Sequence, residues 1–125
     1  MRLLLDTHVL LWWLAEPERL SAQSKDVVAD GDNVVFISAA TIWEAAIKER
    51  LGKLDGARHL AEQVRGQNMT ELPISFRHAA AAAALPPHHR DPFDRMLVAQ
   101  ALCESLTFVT RDERAALYGV TLLPA

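Results

Sequence analysis

The chain has 125 residues, half of them hydrophobic, with a formal net charge of −3 and a pI near 5.9. That length supports one buried core and not two, so residues 1–125 read as a single domain, and the composition excludes disorder and a coiled coil. The acidic balance gives no general attraction to phosphate, so any role on nucleic acid has to rest on a local site or a metal.

The longest apolar run, residues 79–85, is far short of a bilayer span, and Met1-Arg2 leads straight into Leu3-Leu4-Leu5-Asp6 without a cleavable signal pattern. The expectation is a soluble, cytoplasmic protein with no membrane partner. Cys103 stands alone among apolar neighbours, which removes a disulfide framework and a cysteine zinc site and predicts a core residue.

Residues 2–6 form a short apolar run closed by an acid, the pattern of a strand buried on both faces. Residues 7–15 carry Val9, Leu10, Trp12, Trp13 and Leu14, too apolar all round for an exposed helix, and Pro17 stops them. Of the two tryptophans at least one belongs in the core; an exposed remainder is a candidate patch for a partner. Ser21 caps the next helix and Gly31 closes it. Residues 33–38 are a second, β-branched strand ending in Ser38. A helix over 39–51 follows, in which Glu44 lies at the border of the apolar face one turn before Lys48; a surface Glu44–Lys48 pair accounts for it without any function.

Residues 57–67 read as an amphipathic helix, and 70–74 as a short strand that Pro73 confines to a sheet edge or strand end. Ser75 caps a helix through the alanine run, whose small side chains predict close packing on the sheet, and Pro86-Pro87 ends it. Asp91, Pro92 and Asp94 then open a helix over 92–105, as N-cap, first helical residue and first-turn acid, and helix initiation alone explains all three. A strand over 106–110, a last helix over 112–118 closed by Gly119, and a final strand over 120–123 complete the chain. Strands alternating with helices over short connections predict an α/β fold: a parallel sheet of about four to five strands with helices on both faces.

In such a sheet, sites form beyond the carboxyl ends of the strands. Asp6 ends the first strand, Asp112 follows the fourth, and Asp91 and Asp94 begin a helix whose N-terminus faces the same edge. Glu44 lies within two turns of Ser38, near enough to lean over it. Carboxylates gathered this closely need a compensating cation, and oxygen ligands without a cysteine cluster or a His-x-x-x-His pair favour Mg²⁺ or Mn²⁺ over zinc. Such a site suits hydrolysis of a phosphodiester. Lys48, Arg90, Arg95 and Arg111 are the candidate phosphate contacts, each with a solvated charge as its plainer explanation. His8 reads as a packing residue and His88-His89 as an exposed loop.

Four blocks, Leu3-Leu4-Leu5-Asp6-Thr7-His8, Ser38-Ala39-Ala40-Thr41-Ile42-Trp43-Glu44, residues 89–101 with Asp91-Pro92-Phe93-Asp94-Arg95-Met96, and Val109-Thr110-Arg111-Asp112, occur in this order over nearly the whole chain. Together they resemble the PIN-domain ribonucleases of the VapC toxin type. The resemblance implies that Asp6, Glu44, Asp94 and Asp112 are the acidic quartet that binds Mg²⁺ or Mn²⁺. It leaves Asp91 as a cap, a supporting group or a ligand, and Thr7, Ser38 and Thr110 as hydrogen-bond partners of ligands or water. It further implies RNA cleavage to a 5′-phosphate and a 3′-hydroxyl, inhibition by a cognate VapB-type antitoxin, and a homodimer within the toxin–antitoxin complex. Two other readings compete: a receiver-like Mg²⁺-binding signalling domain, disfavoured because no Lys follows Lys53, and a catalytically idle PIN-like binding module.

Overall fold

The computed structural model describes residues 1–125. Five strands, β1 (Arg2–Leu5), β2 (Val34–Ser38), β3 (Thr70–Leu72), β4 (Thr107–Thr110) and β5 (Leu122–Pro124), form one sheet in the order β3-β2-β1-β4-β5, every neighbouring pair parallel. The helices are α1 (Thr7–Ala15), α2 (Ala22–Ala29), α3 (Ala39–Arg50), α4 (Leu60–Gly66), α5 (Phe76–Ala84) and α6 (Pro92–Cys103). Two 3₁₀ segments, Pro17–Arg19 and Glu113–Tyr118, complete the chain, and no helix is long and apolar enough to cross a membrane.

The period of two in β1 explains why the sheet is covered on both sides. Leu3 and Leu5 point into a cluster with Val9 and Leu10 of α1, Val28 of α2, Ala45 of α3 and Leu60 and Val64 of α4. Leu4 points the other way, to Leu97, Val98 and Ala101 of α6, and to Ala115. All three leucines have no exposed surface, and burying each contributes ~2 kcal/mol. A charge placed on either face of β1 has no route to water.

Several boundaries differ from the sequence pattern for identifiable reasons. The fourth helix begins at Leu60 rather than 57, its N-cap position being held by His59 with no side-chain cap bond. The segment after Asp112 is a 3₁₀ helix and not an α-helix; it ends at Gly119, whose φ of 79° is the left-handed conformation that glycine adopts without strain. Residues 120 and 121 remain outside the last strand, which runs instead to Pro124 at the sheet edge. β3 is the opposite edge and stops at Leu72, directly before Pro73. The alanine-rich α5 packs chiefly on α6, as a second layer: α6 already occupies that face of the sheet. Both Trp12 and Trp13 are half-buried, and the exposed tryptophan is Trp43 of α3, 61% exposed and packed edge-on against Phe93.

Strand order also decides between fold types. A receiver-like sheet runs 2-1-3-4-5, whereas here the third strand in sequence lies at an edge beyond β2, which excludes that alternative. Connections leave β1 toward β2 and β3 on one side and reach β4 and β5 on the other, so the topological switch falls between β1 and β4. Asp6 and Thr110 stand at the carboxyl ends of those two strands.

Candidate active site

At the switch point a cleft of about 300 Å³ is lined by Asp6, His8, Val9, Trp12, Asp94, Arg111, Asp112 and Arg114. Three of the four acids inferred from the sequence therefore share one opening, although they come from three separate parts of the chain. Each is placed by helix initiation. Asp6 is the N-cap of α1, its Oδ1 accepting the Thr7 N–H at 2.7 Å. Asp94 lies in the first turn of α6, which Asp91 caps by accepting from the N–H groups of Phe93 and Asp94. Asp112 caps the second 3₁₀ segment by accepting from the Arg114 N–H. The fold thus uses one preference, for a carboxylate at a helix start, to bring these groups to one edge.

The fourth acid is set deeper. Glu44 is 4% exposed; its Oε1 accepts the Thr7 hydroxyl at 2.7 Å and its Oε2 accepts Lys48 Nζ at 2.6 Å. The ion pair suggested by sequence spacing exists, but Glu44 is buried rather than at the surface. Thr7 also meets Thr41, hydroxyl to hydroxyl, at 3.0 Å, so Glu44 is held behind α1 by a hydroxyl pair and a lysine. Burial alone would lower the Lys48 pKa; the bond to Glu44 and the fields of Glu44, Asp91 and Asp94 outweigh it and raise it. Lys48→Met is expected to cost about 2 kcal/mol of stability in urea unfolding, because it leaves a buried carboxylate with a single hydroxyl partner.

Charge is unevenly compensated across the cleft. Asp94 has its pKa pushed up to about 6, by burial first and then by the negative charges of Asp91 and Asp6. Burial also raises the Asp6 carboxyl, against the lowering effect of the Thr110 hydroxyl, which donates to its Oδ2 at 2.7 Å, and of the Thr7 N–H. Asp112 is the opposite case. Arg114 grips it through Nε to Oδ1 at 3.1 Å and Nη2 to Oδ2 at 3.0 Å, and this grip, joined by His89, holds the carboxyl well below the usual carboxylate range. Asp6 and Asp94 are thus the acids without a cationic partner, while Glu44 and Asp112 each have one.

This pattern bears on whether a metal fits. All the donors are hard oxygens, as a divalent ion such as Mg²⁺ requires, and the surplus negative charge lies at Asp6 and Asp94. With Asp112 drawn to Arg114 and Glu44 to Lys48, no three acidic, histidine or cysteine side chains stand close enough together to hold an ion. Asp6 and Asp94 face the cleft without a cation, and Asp112 shares that cleft while paired with Arg114.

The supporting residues inferred from sequence divide in the same way. Thr7 and Thr110 bond candidate ligands directly. Ser38 does not: fully buried, it caps α3 by accepting from the Ala40 N–H. Among the basic residues, Arg95 is not a free phosphate contact. Its guanidinium is spent on the carbonyls of Ala82, Leu85, Pro86 and His89, closing the end of α5 against the start of α6. Arg111 donates to the carbonyls of Arg19 and Ala125 and lies over the Trp12 ring, 4.4 Å from its centroid, on the wall of the cleft. Lys48 is engaged by Glu44, and Arg90 is exposed.

Three side chains at the site were not read from sequence. Arg114 lines the cleft, and His89, expected in an exposed loop, is 5% exposed and bonded to Asp112 through Nε2 at 2.7 Å. Tyr118 holds the other ring nitrogen of His89. The one signal was proximity: Arg114 stands two residues after Asp112 and His89 two before Asp91.

Comparison with known proteins agrees with this architecture. The family model for the PIN domain matches residues 3–120. Ribonuclease VapC22 of Mycobacterium tuberculosis (strain ATCC 25618 / H37Rv) is 34% identical over 119 residues, covering 89% of this chain and 87% of its own. In fold, the chain resembles chains in DNA-bound VapBC from Salmonella typhimurium (TM-score 0.72, 16% identity, 99% of this chain and 98% of that one) and in FitAcB from Neisseria gonorrhoeae (0.69, 23%, 97% and 96%). It also resembles one in VapBC2 from Rickettsia felis bound to a promoter DNA fragment (0.71, 14%, 99% and 98%). A match through β1, α6 and β4, which carry the cleft, leaves one assignment: the chain belongs to the PIN-domain family.

Proposed function

We propose that the chain is a metal-dependent endoribonuclease and the toxin of a toxin–antitoxin pair. The observation that carries this reading is the pair Asp6 and Asp94, two carboxylates in one cleft at the sheet's switch point with no cation of their own. The relationship to a curated VapC ribonuclease supports RNA as the substrate, and the likeness to chains of VapBC complexes supports a VapB-type antitoxin and a homodimer as partners.

In this reading Asp6 and Asp94 hold Mg²⁺ or Mn²⁺, with Asp112 and Glu44 completing the acidic quartet. The bound ion supplies a Lewis acid for the phosphodiester and a water of lowered pKa. The protein's own part is placement. Thr110 fixes the Asp6 carboxylate from one side and the Thr7 N–H from the other; Thr7 and Lys48 hold Glu44 behind it. Arg111 and Arg114 on the cleft wall supply positive charge for phosphates in an otherwise acidic protein. Asp91 keeps its role as helix cap, from which its charge raises the affinity of Asp94 for a proton or cation.

Incubating the purified protein with RNA tests this directly. EDTA is expected to stop cleavage and Mn²⁺ in excess to restore it; cleavage that persists in EDTA rejects the metal reading, and no cleavage under any ion favours the idle binding module.

A further inference from the structure

We propose that His89 is a positioning residue for Asp112, a strut that fixes its carboxylate relative to Asp94 through a Tyr118–His89–Asp112 hydrogen-bonded chain. The inference rests on the metal reading above and concerns residues to which that reading gives no task.

The geometry is complete at both ring nitrogens. His89 Nε2 lies 2.7 Å from Asp112 Oδ2, and its Nδ1 lies 2.9 Å from the Tyr118 hydroxyl. The His89 and Tyr118 rings stack, 5.5 Å between centroids at 24°, and His88 packs edge-on against Tyr118 at 4.9 Å. The His89 carbonyl accepts from Arg95 at 3.3 Å, so backbone and ring are both held. If the tyrosine hydroxyl donates to Nδ1, the neutral ring carries its hydrogen on Nε2 and donates it to the carboxylate, and both bonds form without a change of charge.

Asp112 has two anchors of different quality. Arg114 is a surface group with a side chain 62% exposed, and pairs of that kind are weak. The His89 side chain is 3% exposed, and its part-buried bond of 2.7 Å to a charged acceptor is the firmer one. When the Arg114 guanidinium releases Asp112, His89 still holds Oδ2 and the Arg114 backbone N–H still holds Oδ1, which keeps the carboxylate in place while opening a lone pair on each oxygen to the cleft. His89 also stands five residues before Asp94, in the segment that leads into α6, so its bond ties the two carboxylate-bearing stretches together across the cleft. Ligating carboxylates held in this way by a neighbouring donor lose affinity for the ion when that donor is removed.

The experiment is Mn²⁺ titration by calorimetry, without RNA, on the parent protein, His89→Gln, His89→Asn and Tyr118→Phe, with thermal melts to establish that each is folded. A glutamine amide nitrogen reaches the place of Nε2, whereas an asparagine amide reaches only that of Nδ1. Expected are a Kd for Mn²⁺ within about threefold of the parent for His89→Gln, a roughly 10- to 100-fold weakening for His89→Asn, and an intermediate loss for Tyr118→Phe. In the metal-free parent, ¹⁵N spectra should show His89 protonated at Nε2. Equal Mn²⁺ binding by all folded variants, or equal loss in His89→Gln and His89→Asn, overturns the positioning role. Should His89→Asn not fold, unchanged binding by Tyr118→Phe and a proton on Nδ1 in the parent overturn it. A parent protein that binds no Mn²⁺ overturns the metal reading itself, and the strut with it.

Discussion

Asp94→Asn is expected to lower RNA cleavage in Mg²⁺ by at least ~10³-fold, several kcal/mol of barrier, while making the metal-free protein more stable. The two effects have one cause. The folded state raises the Asp94 pKa from 3.8 to about 6 through burial and the charges of Asp91 and Asp6. A carboxyl whose folded pKa exceeds its unfolded value binds protons preferentially in the folded state, so its ionisation opposes folding. Below the unfolded value the group is protonated in both states and costs nothing; the penalty grows as pH rises through 4 to 6 and is complete at pH 7. Asparagine removes it. Because Asp94 is only partly buried, solvent screening cuts the linkage figure to about 1 kcal/mol, a rise of roughly 4 °C in Tm at pH 7. Paired melts of parent and variant should coincide near pH 3.5 and separate by pH 7, and adding Mn²⁺ should close the gap by stabilising the parent alone. A variant that cuts RNA as well as the parent defeats the assignment of Asp94; equal melts at every pH defeat the account of its charge.

The largest expected stability effect lies at a residue that sequence spacing offered as an RNA contact. Arg95→Ala is expected to cost about 3 kcal/mol, or roughly 10 °C in Tm, because the carbonyls of Ala82, Leu85, Pro86 and His89 all lose a charged donor. Two of those bonds, to Ala82 and Leu85, are 2.8 Å long and close the end of α5, where no helical N–H remains to do so. Lysine should recover little: one ammonium cannot reproduce a planar fork that reaches carbonyls on two sides. Hydrogen exchange should show the loss concentrated in residues 82–91, the stretch that carries His89. A phosphate-binding role predicts the reverse, weaker RNA binding at unchanged stability.

What the sequence disclosed and what it hid follow from the range of the interactions involved. Asp91 was legible as a cap because capping is local, a carboxylate and the next few N–H groups occupying adjacent positions. Asp6 and Asp112 were legible as the acids that follow two apolar strands, and their capping emerged only with the fold. The sheet was legible because β1 is apolar without alternation, which requires cover on both faces. Arg95 and His89 were not legible, since nothing adjacent marks a guanidinium that reaches 13 residues back to Ala82 or an imidazole that reaches 23 forward to Asp112. Ser38 misled for a related reason. A serine after a strand suits a cap and a ligand support equally, and only the fold shows its hydroxyl spent on Ala40. The alanines of α5 allow close approach but do not name the neighbour, and that neighbour is a helix.

Because β1 pairs directly with β4, the carboxylates of the cleft are drawn from residues 6 and 112, near opposite ends of the chain. A polypeptide emerging from the ribosome displays Asp6 well before the strand beside it, and lacks Thr110 and Asp112 until synthesis has passed residue 112. Under the proposed activity, the nascent protein cannot attack RNA while most of it is still being made. The order of the strands then acts as a timer: the cleft is assembled only once residue 112 has been made, when most of the domain is already there for an inhibitor to meet.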